Sequence, residues 1–163
     1  MKPVHEEIRE LRPPEDGDGF ACPKRIRKKA MDLLARRDYG RAELVKKLAD
    51  KGYQRAVVEE QIGVLSDEGL QSDTRFAGSF VQSRIGQGKG PVRIRAELAQ
   101  RGIRDGVVEG ALEEAGVDWY ALAVAERRKK FGAEAPAAFS EKARQMRFLQ
   151  YRGFEHEHIQ SAF

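Results

Sequence analysis

The body of this chain repeats itself about every fifty residues, and a repeat of that length is typical of tandem helical units. Gly52, Gly102 and Gly153 each follow an amphipathic segment at the same spacing, where a helix ends on a residue of positive φ. The first copy coincides with the second after a shift of 50 residues, and the third copy needs a shift of 51. Aligned positions are Leu44, Leu48, Gly52, Tyr53, Val57, Val58 and Ile62 with Ile94, Leu98, Gly102, Ile103, Val107, Val108 and Leu112, followed by Leu149, Gly153, Phe154, Ile159 and Phe163.

Apolar residues in the body recur at helical intervals, as in Val58, Ile62 and Leu65, and no segment alternates cleanly as a half-buried strand would. Each copy has room for three helices of about 8 to 14 residues. We therefore predict an all-α protein, an elongated array of three tandem three-helix repeats preceded by a flexible N-terminal arm. The predicted boundaries are 1–23 for the arm, then 24–72, 73–117 and 118–163 for the three repeats.

Helix starts can be predicted from capping chemistry. Gly40 and Gly90 precede the second helix of their repeats, and Pro91 occupies the first helical position, where its missing N–H costs nothing. Other predicted N-caps are Asp73, Asp105, Asp118 and Ser140.

Each repeat is expected to close a small core, and contacts between neighbouring repeats must supply part of its stability. We expect Trp119 to be buried between the second and third repeats. The predicted core of the first repeat consists of Leu33, Leu34, Leu44, Leu48, Tyr53, Val58, Ile62 and Leu65.

Charge is distributed unevenly along the 163 residues. Lys and Arg total 30 against 26 Asp and Glu, a formal charge of +4. Residues 1–23 carry six acids and three bases, so the remaining body carries +7. The arm is too polar and proline-rich to bury much surface, and is either a disordered tail or an electrostatic shield over a basic face.

Basic clusters recur in every repeat. One such cluster alone is most often a solvated face, but recurrence along an array favours a basic stripe that meets a polyanion or an acidic protein groove. Aromatic residues such as Phe76, Phe80 and Phe148 fall at core spacing, which favours packing over base stacking. The candidate contact residues are Arg36, Arg37, Arg41, Arg84, Lys89, Arg93, Arg95, Arg127, Arg128, Lys129 and Lys130.

Catalytic, metal and cofactor sites are not predicted. The glycines at 86, 88 and 90 around Lys89 lack a phosphate-loop pattern, so we expect a flexible joint there, with Lys89 free to approach a phosphate or a carboxylate. His156, Glu157 and His158 are expected to be solvated, since too few ligands lie near them for a metal.

Cys22 is the single cysteine of the chain, which excludes a disulfide framework, and its thiol is expected to be inert. With no apolar run of membrane length and no signal peptide pattern, we expect a cytoplasmic protein.

Five blocks of sequence, in register, resemble the RecX family of recombinase regulators. The family usually has Ser where this chain has Gly40, which weakens the capping box with Glu43, although Gly is an acceptable cap. The resemblance leaves out residues 1–23. The blocks are 36–44, 65–70, 73–77, 90–98 and 142–154, the last interrupted at Gln145 and Met146.

This resemblance implies a bacterial protein that binds the RecA recombinase filament on single-stranded DNA and restrains its ATPase and strand exchange. Regulation of recombinational repair and of the SOS response would follow. We expect a monomer that needs no cofactor. Whether it also contacts double-stranded DNA without sequence preference is an open alternative.

A different class of function is a helix-turn-helix-like regulator that acts directly on DNA. The turns 50–53 and 100–103 have a suitable length. The helices that follow them are acidic, which disfavours insertion into a groove because phosphates repel carboxylates. Those acids are Glu59, Glu60, Glu109, Glu113 and Glu114.

Overall fold

The computed structural model describes residues 19–163, which contain helices and turns and no strand. The predicted arm lies outside the described residues as far as residue 18. Residues 19–23 of the predicted arm include a 3₁₀ turn at Gly19–Ala21 that leads into the first helix. The Phe20 ring meets Tyr53 edge-on at 5.3 Å. The helices are α1 (Pro23–Leu34), α2 (Arg41–Asp50), α3 (Arg55–Asp67), α4 (Asp73–Gly86), α5 (Pro91–Gln100), α6 (Asp105–Ala115), α7 (Trp119–Phe131), α8 (Phe139–Arg152) and α9 (His156–Ser161).

The three glycine stops are confirmed. Gly52, Gly102 and Gly153 have φ of 101°, 76° and 100°. After each glycine the next amide donates to the carbonyl five residues earlier, as in Tyr53 N to Leu48 O at 3.2 Å. The same bond recurs after Gly102 and Gly153, so α2, α5 and α8 end in the same Schellman motif.

Helix starts agree with the capping predictions only in part. Gly40 and Gly90 are N-caps, and Asp118 accepts a hydrogen bond from Ala121 N at 3.1 Å. Asp105 is instead the first residue of α6, because Arg104 holds the cap position. The prediction for Ser140 is also wrong, since the N-cap of α8 is Ala138.

The Asp73 side chain, at the first residue of α4, caps the start of a different helix, α2. Its Oδ1 accepts the backbone N–H of Arg41 at 2.7 Å and the amide of Gln71 at 3.0 Å. Gly40 has no side chain to cap the start of α2, so this carboxylate from 32 residues further along supplies the missing acceptor. Asp73 thus supplies the acceptor that Gly40 lacks, within the same compact unit.

The chain divides into two compact units. The first runs to Asp73 and the second from Thr74 to Phe163. The first unit buries one core between α1, α2 and α3, and every residue predicted for that core lies in or against it, Leu34 only partly buried. Its buried members are Ile26, Ala30, Leu33, Tyr39, Leu44, Val45, Leu48, Tyr53, Val58, Ile62 and Leu65.

The second unit contains two cores that share a residue. One forms around Phe76, Val81, Ile94 and Leu98, and the other around Leu149 and its neighbours on α7 and α9. Trp119 is partly buried and packs against both. Its position between the second and third repeats is therefore as predicted, although its burial is incomplete.

Backbone contacts also join the second and third repeats. Gly90 N donates to Arg152 O and Val92 N donates to Gly153 O, each at 2.9 Å. A Cβ on Gly90 would lie 2.4 Å from the carbonyl carbon of Gly153, so only glycine permits this approach. The segment predicted as a flexible joint is therefore a turn fixed by main-chain hydrogen bonds.

Candidate functional site

Four cations gather where α4, α5 and α8 meet in the second unit: Arg84, Lys89, Arg93 and Arg152, here called the basic patch. One carboxylate, Glu97, lies among them and contacts Arg84 Nε at 2.9 Å and Arg93 Nε at 3.7 Å. A second carboxylate, Glu126, lies against Gly88 in the adjoining turn, so four positive charges against two negative charges leave a formal charge of +2. Such a surface attracts anions.

The local fold explains why these cations converge. Lys89 lies in the turn that Gly88 (φ 76°) and Gly90 form between α4 and α5, and Arg93 follows in the first turn of α5. Arg152 ends α8 and donates from Nη1 to Gln87 O at 2.9 Å. Because the Gly90 backbone pairs with residues 152 and 153, the end of α8 is held beside the start of α5.

Lys89 shows the electrostatic effect of this crowding. Burial and the nearby charges of Arg93 and Arg152 lower the pKa of the Lys89 ammonium. A phosphate bound at the basic patch would reverse the charge contribution, since an anion favours the charged amine. Lys89, Arg93 and Arg152 are thus placed where anion binding relieves repulsion among them.

Aromatic rings adjoin the basic patch. The Arg84 guanidinium lies 4.2 Å from the Phe80 ring centroid, and Arg152 lies 5.1 Å from that of Phe148. Lys130 Nζ is 5.9 Å from the same Phe148 ring, which places the end of α7 near the basic patch. Arg128 and Lys129 on the last turn of α7 are exposed.

Two of the predicted contact residues form bonds within the second unit. Arg127 is 3% exposed and donates from Nε to Ala162 O at 2.8 Å, so its guanidinium is held inside the second unit. Arg95 bonds Glu109 at 2.7 Å and Glu155 at 2.9 Å, which ties α5 to α6 and to the start of α9. Arg95 lies outside the basic patch because residues two apart on a helix, such as Arg93 and Arg95, face different sides.

We expect Arg95→Ala to weaken the fold in a pH-dependent way. The hydrogen bond from Arg95 lowers the pKa of Glu109. A carboxylate with a lowered pKa stabilises the folded state above its unfolded pKa, and this contribution is lost as the pH falls through the folded pKa. The free energy of unfolding should therefore drop by up to about 1 kcal/mol at pH 7, and by less below pH ~4.

Urea unfolding followed by Trp119 fluorescence at several pH values measures this difference, because Trp119 reports on the second unit. Arg104→Ala is the control, since Arg104 is also exposed but lies at the N-cap of α6. A difference between wild type and Arg95→Ala that stays constant with pH would contradict the role of Glu109.

The remaining candidates lie in the first unit. Arg36 and Arg41 are exposed. Arg37 Nη1 contacts Glu43 at 3.1 Å, and its guanidinium lies 3.6 Å from the Tyr39 ring centroid. These three residues flank the start of α2 as the sequence predicted, and their role in binding stays a prediction.

Sequence reasoning missed Arg152 as a member of the basic patch. It precedes a glycine stop, as Lys51 and Arg101 do in the earlier repeats, so a basic residue at this position recurs in each copy. That recurrence is the signal that could have found it. Its convergence with Lys89 depends on the contact between repeats, which periodicity alone does not reveal.

The prediction of solvated histidines is wrong for His158. This side chain is 5% exposed, and its Nδ1 accepts from Glu155 N at 3.2 Å as part of a capping box on α9. The Tyr120 ring meets it edge-on at 4.8 Å. His158 therefore has a structural role, whereas His156 is exposed as predicted.

Among residues 19–163, none of the helices combines the length and the apolar character needed to span a bilayer.

Comparison with known proteins gives consistent matches. Three family models match in order: the first three-helix domain of RecX over residues 27–63, the second over 72–112 and the third over 117–163. The regulatory protein RecX of Halorhodospira halophila is 46% identical over 142 residues, which is 87% of this chain and 88% of that protein. That of Pseudomonas syringae pv. tomato is 47% identical over 132 residues, or 81% and 85% of the two chains.

Solved structures share the fold. The crystal structure of RecX from Lactobacillus salivarius superposes with a TM-score of 0.72 and 21% identity, covering 86% of this chain and 93% of that one. A second structure, described as regulatory protein RecX, gives a TM-score of 0.71 at 21% identity and covers 85% and 71%. The predicted all-α fold with three three-helix domains is thereby confirmed.

Proposed function

The chain belongs to the RecX family of regulatory proteins, and from this premise we propose that it binds the RecA recombinase filament on single-stranded DNA and inhibits ATP hydrolysis and strand exchange. The match of all three three-helix domains, in order, to the corresponding RecX domains is the observation that carries the proposal. Its relatives are regulatory proteins, and the role proposed here is binding without catalysis.

The basic patch is the contact surface that the geometry favours. Lys89 and Arg93 lie beside each other on a surface of net positive charge, which Glu97 and Glu126 offset only in part. A nucleoprotein filament offers phosphates and acidic protein side chains at regular intervals. A regulator with several three-helix domains can contact more than one filament subunit, and linked contacts raise avidity. Bridged subunits would cycle less readily between the conformations that ATP hydrolysis requires.

We propose that the protein acts in the cytoplasm as a monomer. There it would regulate recombinational repair and also affect the SOS response. Restraint of the filament would limit both processes, because each depends on active RecA on single-stranded DNA. No cofactor is required by this mechanism.

The helix-turn-helix alternative receives less support from the described residues. Glu59 and Glu60 on α3 are exposed, as are Glu109, Glu113 and Glu114 on α6. These helices would hold a groove-reading position in such a motif. Their carboxylates would face DNA phosphates, which opposes binding.

The test is ATP hydrolysis by RecA filaments on single-stranded DNA, titrated with this protein at two salt concentrations. We expect inhibition well below one regulator per RecA subunit, weaker at the higher salt because charged contacts are screened. A DNA-binding assay without RecA is run alongside. Tight DNA binding with unchanged hydrolysis would refute the proposal and favour a regulator that acts on DNA alone.

A further inference from the structure

Tyr151 carries one of the two most exposed aromatic side chains among residues 19–163. Its side chain is 80% exposed on the last turn of α8, although most aromatic rings in the second unit are buried or partly buried. The spacing of core positions does not require it, since its neighbour in the core is Leu149. Exposure alone does not indicate a partner, since Phe139 on the same helix is 87% exposed, so the surroundings of Tyr151 must carry the argument.

The surroundings of Tyr151 are cationic. The Arg93 guanidinium lies 5.7 Å from the centre of its ring, and Arg152 is the next residue along α8. Arg93 and Arg152 in turn lie close enough to Lys89 to lower its pKa, so the ring stands at the edge of the basic patch. Of the two carboxylates near the basic patch, Glu97 contacts Arg84 and Arg93, and Glu126 lies against Gly88.

We propose that Tyr151 and the basic patch form a site for single-stranded nucleic acid, in which a base stacks on the Tyr151 ring while its phosphates contact Lys89 and Arg93. This inference rests on the proposed function, since the strand in question is the DNA of the filament, and it names the part of the filament that the basic patch meets.

The chemistry favours a single strand over a duplex. Duplex bases are stacked on one another and are not available to a tyrosine ring, whereas bases of a single strand are. Cations that follow the backbone together with an aromatic platform are the usual combination in proteins that bind single strands without sequence preference. An acidic protein surface would form ion pairs with Lys89 and Arg93 but would not require the Tyr151 ring.

The test compares binding of the full chain to labelled oligothymidine, to an abasic strand of equal length and to a duplex, by fluorescence anisotropy. Tyr151→Ala should weaken binding to oligothymidine at least about fivefold, the lower range for loss of one stacked base. Its salt dependence should stay unchanged, because no charge is removed. Binding to the abasic strand and to the duplex should change less than twofold.

Two variants control for the ring and for the helix. Tyr151→Phe keeps the π-face and should bind like wild type. Phe139→Ala removes another exposed aromatic from α8, 87% exposed and about 18 Å away along the helix axis, and should also bind like wild type.

Tyr151→Ala that binds oligothymidine within twofold of wild type overturns the inference, as does an equal loss on all three ligands. The RecA hydrolysis assay separates this failure from failure of the proposed function. If the wild-type chain inhibits RecA and Tyr151→Ala binds single strands normally, the proposed regulatory function stands and the stacking site is refuted. If the wild-type chain does not inhibit RecA but Tyr151→Ala weakens single-strand binding, the stacking site stands and the proposed regulatory function is refuted.

Discussion

Gly90→Ala is expected to destabilise the second unit by about 3 kcal/mol. A Cβ at this position would lie 2.4 Å from both the carbonyl carbon and oxygen of Gly153 and 2.5 Å from Phe154 N. These are backbone atoms, which cannot turn aside as the end of a side chain can. Relief of the clash must therefore break the bonds from Gly90 N to Arg152 O and from Val92 N to Gly153 O. Gly90 and Gly153 are buried, so each broken bond leaves a polar backbone group without its partner, at about 1–3 kcal/mol.

Urea unfolding followed by Trp119 fluorescence measures this loss. The φ of Gly90 is −89°, which any residue can adopt, so the close approach alone requires glycine. Gly110→Ala is the matched control: a Cβ on this helical residue meets nothing within 4 Å. Alanine should raise the free energy of unfolding there by about 0.5–1 kcal/mol. Equal stability of the Gly90→Ala variant and wild type would refute the backbone contact between the repeats.

The double variant Lys89→Ala, Arg93→Ala is expected to lose most of its inhibition of RecA, with the concentration for half inhibition raised at least about tenfold. Two cations of the basic patch are removed, and the salt slope of DNA binding should fall by about one for each phosphate that the variant no longer neutralises. Alanine keeps the Arg93 Cβ that packs closely against Gly153, so the packing between the repeats is preserved.

A charge-matched variant separates this site from a general effect of net charge. Lys51→Ala with Arg104→Ala removes two exposed cations that lie outside the basic patch, one in each unit. This control should inhibit RecA nearly as wild type does. Equal loss of inhibition in both double variants would mean that net charge, and not the basic patch, drives binding.

Local chemistry made much of the fold predictable. A glycine that must adopt positive φ marks the end of α2, α5 and α8, and the same amphipathic pattern precedes each stop. The core of the first unit follows from helical spacing, since Leu44, Leu48, Val58 and Ile62 are fully buried. These features depend on residues close together in sequence, where a periodic pattern carries the information.

Features that depend on contact between repeats could not be predicted in this way. Gly90 and Gly153 are far apart in sequence, and nothing in their own segments indicates that their backbones touch. The basic patch depends on that same contact. Arg127 falls in a run of four basic residues, yet its guanidinium is enclosed because Ala162 O offers it an acceptor from the end of the chain. A charge pattern cannot separate such an arginine from its exposed neighbours.

The Asp73 carboxylate has a consequence for dividing the chain into fragments. By sequence alone the second repeat begins at residue 73, but the first compact unit includes Asp73, whose carboxylate satisfies the start of α2. Truncation at residue 72 would leave Arg41 N–H without this acceptor, whereas a cut one residue later would keep it. A fragment meant to keep the first compact unit should therefore end after the residue that caps α2, and helix capping is the physical reason for that choice.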